Sequence, residues 1–146
     1  MEDGKVIIYT DGAARGNPGP SASGFVVYVD GRLAGRRAEY NGAETNNFAE
    51  YKAVLMALEW CAANVRGFFE RKVEVYSDSE LVVRQLVGRY KVRSEKMKSM
   101  NDAVKAMCAR LGWIRFYNVP REERHIKEVD RSLNNLLDSI EGHAKD

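Results

Sequence analysis

A chain of 146 residues is long enough for one domain with a hydrophobic core and too short for two ordinary ones, so residues 1–146 are expected to form a single domain. Apolar residues make up 45% and charged residues 30%, with 12 Gly and 3 Pro, which excludes a disordered or collagen-like chain. No apolar run approaches the roughly 20 residues of a membrane span, and a net charge of +2 names no partner by itself.

The start, Met1-Glu2-Asp3-Gly4, has neither the apolar core of a secretory signal nor the Arg-rich character of a transit peptide, which predicts a cytoplasmic protein. Cys61 and Cys108 sit in helix-period apolar patterns and form no C-x-x-C pair, so buried thiols are expected rather than a disulfide or a zinc site. Between Arg84 and Lys98 the chain carries six cations against the single acid Glu95, a pattern that fits either a phosphate-facing surface or a solvated helix flank.

Val6 to Thr10 is a run of β-formers ended by Asp11-Gly12. After a glycine-rich loop, two alternating segments, 24–29 and 33–40, meet at Asp30-Gly31 as a hairpin. From Phe48 to Asn64 the residues Tyr51, Val54, Leu55, Leu58 and Cys61 recur at spacings of three and four, predicting a helix capped by Asn46 or Asn47. A strand over 72–76 follows, and Ser77-x-x-Glu80 is a capping-box pattern opening a helix to about Val87. Ser94 is the expected cap of a longer helix that Gly112 stops. Residues 113–117 read as a last strand, and Ile126, Val129, Leu133, Leu136, Leu137 and Ile140 mark a closing helix. The order βββαβααβα predicts an α/β fold with a mixed five-stranded sheet and helices on both faces, the later strands pairing in parallel through helical crossovers.

Four acids stand out. Asp11 and Asp78 end strands, where open α/β sheets place ligand-binding groups, although an Asp there also simply terminates a strand. Glu50 and Asp130 each fall on the apolar stripe of a helix, and a buried carboxylate must be paired or bind metal. If the two strands are neighbours, all four converge on one sheet rim. Oxygen ligands without His or Cys select Mg²⁺ or Mn²⁺, and two such ions about 4 Å apart form the site that clamps attacking and leaving oxygens in phosphoryl transfer.

YTDGAARGNPG (9–19), ETNNFAEY (44–51), YSDSELV (76–82) and EVDRSLNNLLD (128–138), in that order, resemble the motifs of ribonuclease H type 1 over nearly the whole chain. The resemblance implies the ribonuclease H-like fold and an endonuclease that cuts the RNA strand of an RNA/DNA hybrid, leaving 5′-phosphate and 3′-hydroxyl ends. It implies that Asp11, Glu50, Asp78 and Asp130 hold two Mg²⁺ ions, with Mn²⁺ as an alternative. Asn17, Asn46 and Asn47 match positions that read the minor groove and 2′-hydroxyls. Thr45 matches a residue of a pocket for a DNA phosphate, and Ser94 falls near its other wall, where helix capping explains it as well. Gly12, Gly16 and Gly19 are expected to let the backbone turn tightly against a sugar-phosphate strand. Tyr90 lies near an aromatic of the DNA channel, and core packing accounts for it equally.

The sequence departs from the family pattern in three places. No Trp- and Lys-rich insertion lies between Gly88 and Ser94, so the basic protrusion of some relatives is absent, and no separate hybrid-binding domain is expected. Asn118 stands where compact relatives often carry a catalytic His. His125, in the stretch 119–129, is read either as an auxiliary substitute or as an exposed loop histidine, and His143 as incidental. Expected partners are therefore the hybrid itself, no membrane and no obligate protein subunit, with the chain a monomer. The competing expectations are a nuclease of the same fold acting on double-stranded RNA or a DNA junction, and a hybrid-binding module without catalysis.

Overall fold

The computed structural model of the chain describes residues 4–145, with side chains up to residue 142, so His143 lies outside the described side chains. Its elements are β1 (Val6–Ala14), β2 (Gly19–Val29), β3 (Arg32–Glu44), α1 (Asn46–Asn64), β4 (Lys72–Ser77), α2 (Glu80–Leu86), α3 (Glu95–Cys108), β5 (Trp113–Asn118) and α4 (Arg124–Lys145), with one 3₁₀ turn at Phe68–Glu70. The predicted order is observed. The five strands form one sheet in the order β3-β2-β1-β4-β5, with the first three antiparallel and β1-β4 and β4-β5 parallel.

Alternation along the central strands divides the core. Val6 and Ile8 of β1, Val27 of β2 and Val73 and Val75 of β4 pack with Tyr51, Leu58 and Val104 of α1 and α3. On the other face Ala22 and Val26 meet Val129, Leu133 and Leu137 of α4, with Tyr9 and Ala13 alongside. Burying Leu133 and Leu137 completely stabilises the docked helix by on the order of 2 kcal/mol each. A buried polar chain joins three elements: Asn101 Nδ2 donates to Tyr51 Oη (3.2 Å), Tyr51 Oη to Gln85 Oε1 (2.6 Å), and Gln85 Nε2 to the Lys91 carbonyl (3.0 Å). It fixes the irregular segment between α2 and α3 that carries Arg89, Lys91 and Arg93 of the cationic run. No helix among the described residues is long and apolar enough to cross a membrane.

Several expected boundaries move, each for a tertiary reason. β1 runs through Asp11-Gly12 to Ala14 because Asp11 to Ala14 pair with Gly24 to Ser21 of β2, and β2 begins at Gly19 because it pairs there with Glu44 of β3. Neither Asn46 nor Asn47 caps α1. The cap is Thr45, whose hydroxyl accepts from Phe48 N at 3.1 Å, while the Asn46 side chain is drawn off by the β1 backbone. Likewise Ser79, not Ser77, caps α2, because the Ser77 hydroxyl already accepts from Ser79 N. Tyr90 is 43% exposed with the Arg84 guanidinium over its ring, so core packing does not account for it.

Candidate active site

The parallel register Thr10↔Ser77 places the next residues, Asp11 and Asp78, side by side at the end of the central strands. Helices then approach this point from both faces, and a glycine admits each one. A Cβ on Gly12 would lie 2.3 Å from the Ala49 carbonyl carbon, so its absence lets α1 touch β1, and the Gly12 N–H donates to Glu50 Oε1. Gly12 therefore serves helix approach rather than a tight turn toward substrate. Opposite Asp11 in β2 stands Gly24, where a Cβ would meet Leu133 at 2.8 Å and Val129 at 3.3 Å; α4 rests there and brings Asp130 against Asp11.

Carboxylate oxygens of Asp11, Glu50 and Asp78 all lie within 4.8 Å of one another. Asp130 stands outside this trio and interacts with it through Asp11. Burial, then the charges of Asp78 and Asp130, push the Asp11 carboxyl up to about 9. Glu50 is likewise held well above the ordinary carboxylate range by burial and by Asp11 and Asp78, against the lowering effect of the Gly12 N–H. Asp78 Oδ1 is buried without a hydrogen-bond partner among the described residues. Such an oxygen, inside mutually repelling carboxylates with no His or Cys in the set, fits a hard divalent cation.

Glu50 and Asp78 open into a cleft of about 560 Å³ between Asn46 and Asn47 on one side and Asn118 to Arg121 on the other. Asn17 Oδ1 accepts from Asn46 N (3.0 Å), and Asn46 Oδ1 accepts from Ala14 N (2.8 Å). Both amide oxygens are thus engaged by backbone, which fixes the flip of each side chain and leaves the Nδ2 groups as donors to anything in the groove. A neighbouring pocket of about 330 Å³ is lined by Asn17, Thr45, Asn47, Ser94 and Lys96. Ser94 is the α3 cap, its hydroxyl accepting from Met97 N, and it also lines this pocket.

The cationic run divides. Arg84 pairs with Glu80, Lys96 with Glu44 and Lys98 with Glu95, whereas Arg89, Lys91 and Arg93 surround Tyr90 and Leu81 in an open pocket. His125 is not in a loop. It lies in the first turn of α4, its side chain 17% exposed, stacked on Tyr9 (4.2 Å between ring centroids) with Nδ1 2.9 Å from Glu123 Oε2. It does not line the cleft with Glu50 and Asp78. Although partial burial opposes it, hydrogen bonds from His125 and from the Ile126 N–H hold the Glu123 carboxyl below its ordinary value. The Asn118 amide donates to the Ser77 carbonyl, 3.1 Å away. Arg121, which sequence reasoning missed, is the cation that lines the cleft beside the acids. An exposed Arg after a proline has no periodicity to mark it.

Sheet order, crossover pattern and rim carboxylates together define an α/β protein of the ribonuclease H-like fold. The RNase H family model matches residues 3–127, and the chain belongs to that family. A ribonuclease HI from Halobacterium salinarum is 35% identical over 144 residues, 98% of this chain and 65% of that protein. A bifunctional protein from Mycobacterium tuberculosis is 31% identical over 137 residues, 92% of this chain and 36% of its own length. The chain therefore spans about two-thirds of one relative and about a third of the other. Among solved structures, LC11-RNase H1 in complex with an RNA/DNA hybrid matches with a TM-score of 0.85 at 36% identity, covering 92% of this chain and 98% of that one. The family match stops three residues before Asp130, so it is the packing of α4 that places the fourth acid.

Proposed function

We propose that this chain is an endoribonuclease that hydrolyses the RNA strand of RNA/DNA hybrids in the cytoplasm, acting as one monomeric domain and leaving 5′-phosphate and 3′-hydroxyl ends. The observation that carries this is the trio Asp11, Glu50 and Asp78 with an unpartnered buried oxygen, beside a groove lined with amide donors. Asp11, Glu50, Asp78 and Asp130 would hold two Mg²⁺ ions, or Mn²⁺, which when bound supply Lewis-acid stabilisation of charge on the attacking and leaving oxygens.

The chain's own groups then divide the remaining work. Glu50, anchored through Oε1 by the Gly12 N–H, presents its carboxylate at the wall of the cleft beside Asp78. Asn17, Asn46 and Asn47 donate to minor-groove and 2′-hydroxyl oxygens, which DNA lacks at the second position. Thr45 and Ser94 wall the pocket for a phosphate of the DNA strand, and Arg89, Lys91 and Arg93 follow that strand further along. In the reaction a water oxygen bonds to phosphorus, the P–O3′ bond breaks, and a proton ends on O3′. His125 acts as a structural support of the α4 start rather than as a proton carrier in this scheme.

The deciding experiment incubates the protein with hybrid, duplex RNA and duplex DNA of one sequence, with Mg²⁺, with Mn²⁺ and with chelator. Cleavage of the RNA strand of the hybrid alone, only with metal, supports the proposal. Equal cutting of duplex DNA, or none with either ion, removes it.

A further inference from the structure

Arg15 follows β1 at the start of the turn that carries Asn17, its N–H donating to the Pro20 carbonyl at 2.8 Å. The side chain reaches neither the acid trio nor the cleft. It crosses to α4, where Nη2 lies 2.7 Å from Asp138 Oδ1 and 3.1 Å from Asn134 Oδ1, and Nη1 lies 3.0 Å from Glu141 Oε2. Asn134, Asp138 and Glu141 recur at four and three on one helix face, and that stripe begins at Asp130, whose carbonyl accepts from Asn134 Nδ2 at 3.1 Å. On its other side the loop is joined to α1 through the Asn17 and Asn46 bonds. The turn is thus held between the helix that bears Glu50 and the helix that bears Asp130.

We propose that Arg15 is a positioning residue, which by clasping α4 holds the 15–19 turn in place before substrate arrives and so sets the affinity for hybrid. The inference rests on the proposed hybrid hydrolysis. Its physical basis is preorganisation: a turn left mobile must be ordered during binding, whereas a clasped turn has met that entropic cost on folding. The planar guanidinium reaches acceptors on three residues at once, which the single ammonium of Lys cannot reproduce. Because two carboxylates neutralise it, Arg15 is poorly suited to be a phosphate contact itself.

The variants are Arg15→Leu, Arg15→Lys, the pair Asp138→Ala with Glu141→Ala, and that pair combined with Arg15→Leu. Arg15→Leu is expected to raise KM for hybrid about tenfold while kcat stays within about threefold, and Arg15→Lys to recover part of the loss. Removing the two acids should raise KM as much, and adding Arg15→Leu to them should do nothing further. Amide hydrogen exchange at residues 15–19 without substrate should quicken in the same variants. That measurement needs no catalysis, so a wild-type protein inactive on hybrid would defeat the functional proposal while leaving the clasp testable. An unchanged KM in Arg15→Leu overturns the inference. So does hybrid binding that weakens, with a smaller salt dependence, in Arg15→Leu but not in the Asp138, Glu141 variant, since Arg15 would then touch phosphate directly.

Discussion

The Gly12 N–H donates to the Glu50 carboxylate, and the Gly12 α-carbon lies so close to α1 that a Cβ there would stand 2.3 Å from the Ala49 carbonyl carbon. One residue therefore both admits the helix and holds the acid that the helix carries. Gly12→Ala has no flexible side chain to push aside and must displace α1. The expected cost is about 1–3 kcal/mol of stability, with activity falling roughly 100-fold or more because Glu50 moves with its helix. Gly112→Ala is the control, since nothing lies within 4 Å of its Cβ and its φ is not positive. Thermal melting and initial rates on hybrid compare the two, and equal behaviour would refute the close-approach account.

Asp11 makes the metal-free protein sensitive to alkali. Its folded-state carboxyl is raised from 3.8 to about 9, so between those values the folded protein retains a proton that the unfolded chain has released. Folding stability in chelator should be fully supported by this group below about pH 4 and should fall as pH rises toward 9. Asp11→Asn should flatten that decline, and saturating Mg²⁺ should reverse it by stabilising the ionised site. Melting temperatures at intervals from pH 5.5 to 9 provide the check, a window that lies above the range in which Glu123, held below its ordinary value, titrates.

Asp78 carries the unpartnered oxygen, so its removal separates charge from structure. Asp78→Asn should abolish cleavage yet leave the melting temperature in chelator equal or higher, because one repelling charge leaves a crowded cluster. Near wild-type cutting by this variant in Mg²⁺ would contradict the assignment of the four acids.

Strand discrimination follows from the fixed flips of Asn17 and Asn46. With only Nδ2 groups free to donate, a block of 2′-deoxy sugars in the RNA strand offers them no 2′-oxygen. Cleavage within the block should fall far more than overall affinity, which phosphate contacts dominate. Product mapping by gel and binding by anisotropy measure the two quantities separately. Equal cutting of the block would indicate a general nuclease.

His125→Ala should show its effect in stability. The ring stacks on Tyr9, meets Tyr28 edge-on at 5.3 Å and bonds Glu123, which in turn accepts from the His125 and Ile126 N–H groups at the start of α4. Loss of the stack should cost about 1–2 kcal/mol, with turnover reduced less than about 10-fold from pH 5.5 to 9. A loss of activity matching that of Asp78→Asn would place the imidazole in the chemistry.

Much of this protein is local physics and was legible along the chain. Element type and order follow from apolar spacing, and Glu50 and Asp130 betray themselves as acids on apolar helix faces. The convergence of Asp11 with Asp78 needed only that two parallel strands be neighbours, which the register confirms. What escaped was decided by competition between partners distant in sequence. Thr45 rather than an Asn caps α1 because the Asn46 side chain is bound by Ala14 N, and β1 continues past Asp11-Gly12 to Ala14 because β2 pairs with it. His125 reads as a loop residue until Tyr9 and Tyr28 enclose it, and Arg15 has no partner until α4, more than a hundred residues later, brings Asp138 and Glu141 to it. Periodicity records which face of an element is buried; only the packed structure determines what that face meets, since hydrogen bonds and ion pairs depend on distances that sequence spacing does not contain.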